Sequence, residues 1–141
     1  VGAVVDDRET GIRFLAIATH LDVASPWARL RSAELLGRIV LQRGLPAVVM
    51  ADWNSPAGSA PWRALAEAGV EDSWGRASRQ VGEPYGTYPH YGSPRVGGRR
   101  IDGVLVTSEA EVDRVAVDVR RPGGVWPSDH AAVHAVVRWA S

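Results

Sequence analysis

The sequence predicts an α/β fold, and three observations predict it. Two short runs are apolar on both alternating faces, two segments carry helix start and stop signals, and polar clusters follow or precede the apolar runs. Phe14-Leu15-Ala16-Ile17-Ala18 and Ala47-Val48-Val49-Met50 leave no side for water. Each therefore reads as a strand wanting cover above and below.

Residues 3–5 and 13–19 read as a hairpin, joined by a polar turn that holds Asp6, Asp7, Glu9 and Gly11. Ser25-Pro26 opens a helix, because a serine oxygen caps free amides and proline loses no hydrogen bond at the first helical position. That helix runs to about Arg43, where Gly44 suits a left-handed stop and Pro46 prevents continuation. Residues 47–51 form a short strand that delivers Asp52 and Asn54. Ser59-Ala60-Pro61 opens a second helix ending near Gly69. Residues 75–99, rich in Gly, Pro and Arg, read as a long surface loop. Strands at 101–107, 112–119 and 131–137 complete the set, with no internal repeat.

At 141 residues the chain has the length of one domain and can bury a core. Its formal net charge is zero and 45% of its residues are hydrophobic, which excludes a polybasic nucleic-acid tail. All 16 basic residues are arginine, a bias that carries no functional weight. Without cysteine there is no disulfide framework and no thiolate metal site, so the compartment of this soluble-looking chain, cytoplasmic or secreted, stays open. No apolar stretch reaches bilayer-spanning length. The first residue is Val1 and the single methionine is Met50, so the natural start is expected upstream.

Four clusters carry the chemistry: Thr19-His20-Leu21-Asp22, Ala51-Asp52-Trp53-Asn54-Ser55, Arg100-Ile101-Asp102 and Ser128-Asp129-His130. Strand ends converge at one edge of a sheet, and these acids, imidazoles and an amide suit a metal-assisted phosphoester site. His130 is either a structural hydrogen-bonding residue or a base oriented by Asp102. Asp102 itself has a second reading as a salt bridge to Arg99 or Arg100. Asp52 and Asn54, two apart on an extended strand, point the same way. The same string is also common turn chemistry. Asp22 reads as a turn cap. Trp27 and Trp62, at helix starts, read as core. The segment from Gly86 to Tyr91 is a substrate-loop candidate, with Tyr88 in it, while Arg95, Arg99 and Arg100 either meet phosphates or are solvated.

In this order, over residues 14–139, the clusters resemble the second half of the endonuclease/exonuclease/phosphatase superfamily. That group includes DNase I, abasic-site endonucleases, neutral sphingomyelinases and inositol-polyphosphate phosphatases. Asp52-Trp53-Asn54 resembles its Gly-Asp-Phe-Asn motif, with Ala51 in place of glycine and Trp53 in place of phenylalanine. The resemblance implies half of a four-layer α/β/β/α sandwich: one mixed, mostly antiparallel sheet with helices on one face. It also implies that residues 1–141 are a single C-terminal half-domain lacking its N-terminal half. The second sheet face would then be bare, and the missing half or a dimer partner would cover it.

The implied activity is divalent-metal-dependent hydrolysis of a phosphate ester by in-line water attack. By resemblance His130 and Asp102 form the catalytic dyad, Asp52 assists, and Asn54 and His20 hold the phosphoryl oxygens. Asp129 would be a ligand of Mg²⁺ or Mn²⁺, with Asp52 and Asn54 as further candidates; Arg99, Arg100 and Tyr88 are substrate-binding candidates from their place in the loop and not from the resemblance. The family draws a further glutamate ligand and a phosphate-binding asparagine from its first half, and neither is matched here. The substrate is left among nucleic acid, phospholipid and inositol phosphate. A nuclease proper and a non-catalytic binding or assembly module are the two alternatives.

Overall fold

A computed structural model of the chain describes residues 1–139. The order is β1 (Gly2–Asp6), β2 (Arg13–His20), α1 (Pro26–Arg43), β3 (Ala47–Asp52), α2 (Ala60–Glu67), β4 (Glu71–Asp72), α3 (Ser73–Arg76), β5 (Arg79–Val81), β6 (Asp102–Val106), β7 (Ala110–Asp118) and β8 (Ala132–Trp139). Helix α1 begins and ends as its sequence demands. The Ser25 hydroxyl accepts from Ala28 N at 3.1 Å, and Gly44, at φ 59°, donates to Val40 O.

The α/β class holds, and the strands divide into two ladders. The larger sheet has the order β1-β2-β3-β6-β4, with β2 and β3 parallel through the α1 crossover and the other pairs antiparallel. Its odd-numbered residues Leu15, Ile17, Ala47, Val49 and Leu105 pack under Ala33 and Val40 of α1 and Trp62 and Leu65 of α2. Burying a leucine this fully contributes roughly 1.5–3 kcal/mol relative to an exposed one.

The smaller sheet, β5-β7-β8, corrects the expectation that the second face has no sheet over it. Val133, Ala135, Val137 and Trp139 of β8 pack on Val104 and Val106 of β6 and Val48 of β3. A bulge between Val112 and Arg114 keeps the inward face of β7 apolar: without the extra residue, Val115 and Val117 would turn outward. The cover is partial. Trp139 reaches Phe14, ring centroids 4.7 Å apart, and beyond that contact Val5, Ala18 and Met50 stay exposed.

Residues 75–99 are more ordered than a loop. Asp72 caps α3 by accepting from Trp74 N, Arg76 donates to the carbonyls of Thr107, Ser108 and Ala110, and β5 pairs with β7. Beyond β5 a strap runs to Ile101. It is closed by a bridge between Tyr85 and Val96 and by a Gly86 N to Arg95 O bond of 2.9 Å. A Cβ on Gly86 would stand 3.0 Å from Arg99 O, so the strap crosses itself where only glycine fits. Among the described residues, no helix is long and apolar enough to cross a membrane.

Candidate active site

Strand register builds the centre of the site. His20 is paired with Asp52 across β2 and β3, and Asp52 with Asp102 across β3 and β6. Three adjacent strands thus bring an imidazole and two carboxylates into one row at the sheet's end. Next to Asp102, a Cβ at Gly103 would run into the Trp62 ring, so the glycine lets α2 close over this end. His130, just before β8, completes the group. Its Nδ1 donates to Asp102 Oδ2 at 2.9 Å, while Nε2 lies 3.7 Å from Asp52 Oδ2. The orienting carboxylate expected for His130 is therefore present, and among the described residues Asp102 engages no arginine.

Burial dominates the charge state of Asp102, lifting its pKa above the usual carboxylate value; the nearby Asp52 charge adds to this, and hydrogen bonds from Thr87 and His130 oppose it. For His130, burial alone pulls downward. The Asp102 hydrogen bond and the charges of Asp102, Asp52 and Asp129 outweigh it and hold the imidazole above its ordinary value.

Asn54 joins the row by a different route from the one the spacing suggests. Strand β3 ends at Asp52, Asn54 sits at φ 46°, and its amide N–H donates to Asp52 Oδ1 at 2.8 Å. A tight turn, rather than strand alternation, swings the side chain back. There Nδ2 donates to Leu21 O and meets His20 Nε2, each at 2.9 Å. Both amide hydrogens are committed inside the protein, so a phosphoryl oxygen would compete with His20 for one of them. His20 Nε2 also lies 3.2 Å from Asp52 Oδ2.

Asp129 stands outside the compact group of Asp52, Asp102 and His130, whose ligand atoms lie within 4.8 Å of one another. Its carboxylate meets Ser128 Oγ at 3.4 Å and acts on His130 through charge. Asp22 caps its turn, accepting from Ala24 and Ser25 amides.

Two expectations are corrected. Arg100 is a clamp rather than a substrate residue: its guanidinium is paired with Asp72 and stacked between Trp62 and Trp74 at 5.3 and 5.0 Å, with 12% of the side chain exposed. Trp27 lies 68% exposed beside Arg31 instead of in the core, whereas Trp62 is buried as read. Tyr88 does border the site. Its ring sits 4.7 Å from that of His130, and its hydroxyl meets His90 Nδ1 at 2.9 Å. Tyr88 and Arg99 line a cleft of the strap together with Arg95 and Ile101.

The residue the sequence reading passed over is Thr87. It is wholly buried, and its hydroxyl accepts from Ile101 N at 2.9 Å and Asp102 N at 3.0 Å. A threonine flanked by Gly86 and Tyr88 gives no periodic signal. Its partners are backbone amides 14 and 15 residues away.

The model of the Endonuclease/Exonuclease/phosphatase family matches residues 2–130. Among solved structures, the chain is similar to an endonuclease/exonuclease/phosphatase from Bacteroides vulgatus (26% identity, TM-score 0.85, 98% of this chain and 54% of that one). It is also similar to a mannosyl-6-phosphatase of Bacteroides thetaiotaomicron (24%, 0.85, 98% and 56%) and to the human Nocturnin catalytic domain with bound sulfate (17%, 0.67, 99% and 52%). At their identities the last two establish the fold alone. The chain spans about half the length of each of these structures. No curated protein matches the sequence.

Proposed function

The chain belongs to the endonuclease/exonuclease/phosphatase family, and from that premise we propose that it is the C-terminal half of a divalent-metal-dependent phosphoester hydrolase. The observation that carries this reading is the His130–Asp102 pair set against Asp52 at the end of the register row.

In the proposed reaction Asp102 Oδ2 holds the proton on His130 Nδ1, which leaves Nε2 with its lone pair toward the Asp52 side. Nε2 takes a proton from the water that attacks phosphorus in line while the ester P–O bond opposite breaks and the leaving oxygen takes a proton from solvent; Asp52 helps orient the attacking water. His20 and Asn54, at the far end of the row, bind phosphoryl oxygens. Tyr88 and Arg99 line the approach from the strap.

The donor set fits a hard cation in part. Carboxylate oxygens suit Mg²⁺ or Mn²⁺, which take one or two of them and fill the remaining positions with water and phosphate oxygens. Since His130 Nδ1 and Asp102 Oδ2 are bonded to each other, Asp52 is the member of the compact group that would hold the ion, and Asp129, outside that group, and Asn54 Oδ1 are the further candidates. When bound, the ion supplies positive charge to the phosphoryl oxygens.

The open geometry supports the half-domain reading. The three-stranded sheet ends at β8, whose second edge is unpaired among the described residues, and the uncovered apolar face begins beside it at Phe14. Strands added to β8 would cover Val5, Ala18 and Met50. The preceding half of the domain is the proposed occupant, and a second copy of this chain is the alternative.

The test is hydrolysis of bis-p-nitrophenyl phosphate, sugar phosphates and plasmid DNA with Mg²⁺, Mn²⁺ or EDTA, by this chain and by a version extended upstream of Val1. Metal-dependent turnover in the extended version, lost by about 10²–10⁴-fold in His130→Ala, is the expected result. Full activity in both His130→Ala and Asp52→Ala would sink the residue roles. No turnover in any version would favour a binding module.

A further inference from the structure

The geometry points to Thr87 as the positioning residue that sets both members of the His130–Asp102 pair, an inference that rests on the phosphoesterase reading above. A hydroxyl has one proton and two lone pairs. Amides of Ile101 and Asp102 donate to Thr87 Oγ1 at 2.9 and 3.0 Å, which occupies both lone pairs. One proton remains on a group with no exposure to water, and a buried donor finds an acceptor. The Asp102 carboxylate, borne by the residue whose amide Thr87 already holds at 3.0 Å, is the acceptor in this assignment. Thr87 therefore fixes the entrance of β6 through the two amides it holds, and in this assignment its proton steadies the Asp102 side chain.

The backbone of the same residue reaches the other partner. Ala131, the residue after His130, donates its N–H to Thr87 O at 2.8 Å, and Thr87 N donates to Arg99 O at 3.1 Å. The next residue in the strap, Tyr88, lays its ring against His130. A single buried threonine thus ties the entrance of β6, the entrance of β8 and the strap together, and the 2.9 Å contact between His130 and Asp102 spans the two entrances it joins. Thr87 touches no reacting atom. Its contribution is the placing of the two groups that do.

The experiment compares Thr87→Val, which keeps the shape and removes the hydroxyl, with Thr87→Ser, which keeps the hydroxyl. Two quantities are read: steady-state kinetics on bis-p-nitrophenyl phosphate in the active version, and the downfield proton resonance of His130 Nδ1–H in the metal-free 141-residue chain. Thr87→Val is expected to lower kcat by roughly 10–100-fold with KM within about twofold, because misplaced catalytic groups cost transition-state stabilisation rather than binding. It should also shift or broaden the resonance, and Thr87→Ser should restore both. Wild-type kcat and an unmoved resonance in Thr87→Val would overturn the assignment. So would Thr87→Ser as impaired as Thr87→Val, which would make the residue a packing group. If Thr87→Val does not fold, as judged by its far-ultraviolet circular dichroism, Thr87→Cys replaces it, with a similar volume and a weak hydrogen bond. If no version turns over any phosphate ester, the functional reading falls, and the resonance comparison still decides the positioning role.

Discussion

The two faces of the five-stranded sheet are built from equally apolar residues and meet different fates. On the odd-numbered face, Leu15, Ile17, Ala47, Val49 and Leu105 are sealed by α1 and α2 and retain at most 5% exposure. On the even-numbered face, Val104 and Val106 are buried by the β7–β8 pair, yet Met50, one strand over, is 38% exposed. Side-chain chemistry does not separate the faces. What separates them is how far each covering layer extends, and the three-stranded sheet stops halfway. The closed face is a finished core, and the other is the face proposed above as an interface.

Substitutions on the closed face should show the largest effects. Leu105→Ala removes a side chain that is 1% exposed and is expected to destabilise the chain by about 2–5 kcal/mol in urea unfolding. A loss below 1 kcal/mol would show that this face is looser than drawn. Ser25→Ala frays the helix that seals the face and should cost about 0.5–2 kcal/mol, with the change appearing in helical circular dichroism. Met50→Ser, on the open face, should fall within about 0.5 kcal/mol in this chain alone. The same change should weaken a version carrying the upstream half, and equal effects in both versions would remove the case for an interface there.

The smallest effect on the fold is expected where the two faces end together, at His130. Its conjugate acid cannot act as a base, and its pKa is held above the ordinary 6.5. Activity should therefore be lost as pH falls through that raised value, with an acid limb above that of a free histidine. Asp129→Asn removes one of the raising charges and should move the limb, and the imidazole titration followed by NMR, toward lower pH. A limb that stays in place would mean that the Asp129 charge is screened from the ring.

Residues at the ends of regular elements were legible in the sequence, and Thr87, whose role depends on the folded strap, was not. His20, Asp52 and Asp102 lie at strand ends, where apolar runs announce them, and register does the rest. Asn54 was found for a reason that proved incomplete, since a left-handed backbone turns it back and no periodicity records that. Thr87 depends on amides that only the folded strap brings near. Arg100 carries the same charge in a clamp as in a phosphate site, and Trp27 the same ring at a surface as in a core, so their surroundings decide. Strand β5, Arg79-Gln80-Val81, is exposed throughout and lacks the alternation that marks a half-buried strand.

Because His20, Asp52 and Asp102 occupy one register row, their separations are inherited from the sheet, whose strands lie about 4.7–4.9 Å apart. The sheet acts as a ruler with fixed divisions. A slip of β3 by a single residue would set Ala51 or Trp53 opposite His20 and turn the carboxylate to the other face. No intermediate spacing is open to the strands, so in folding, this row of three is set in full or not at all.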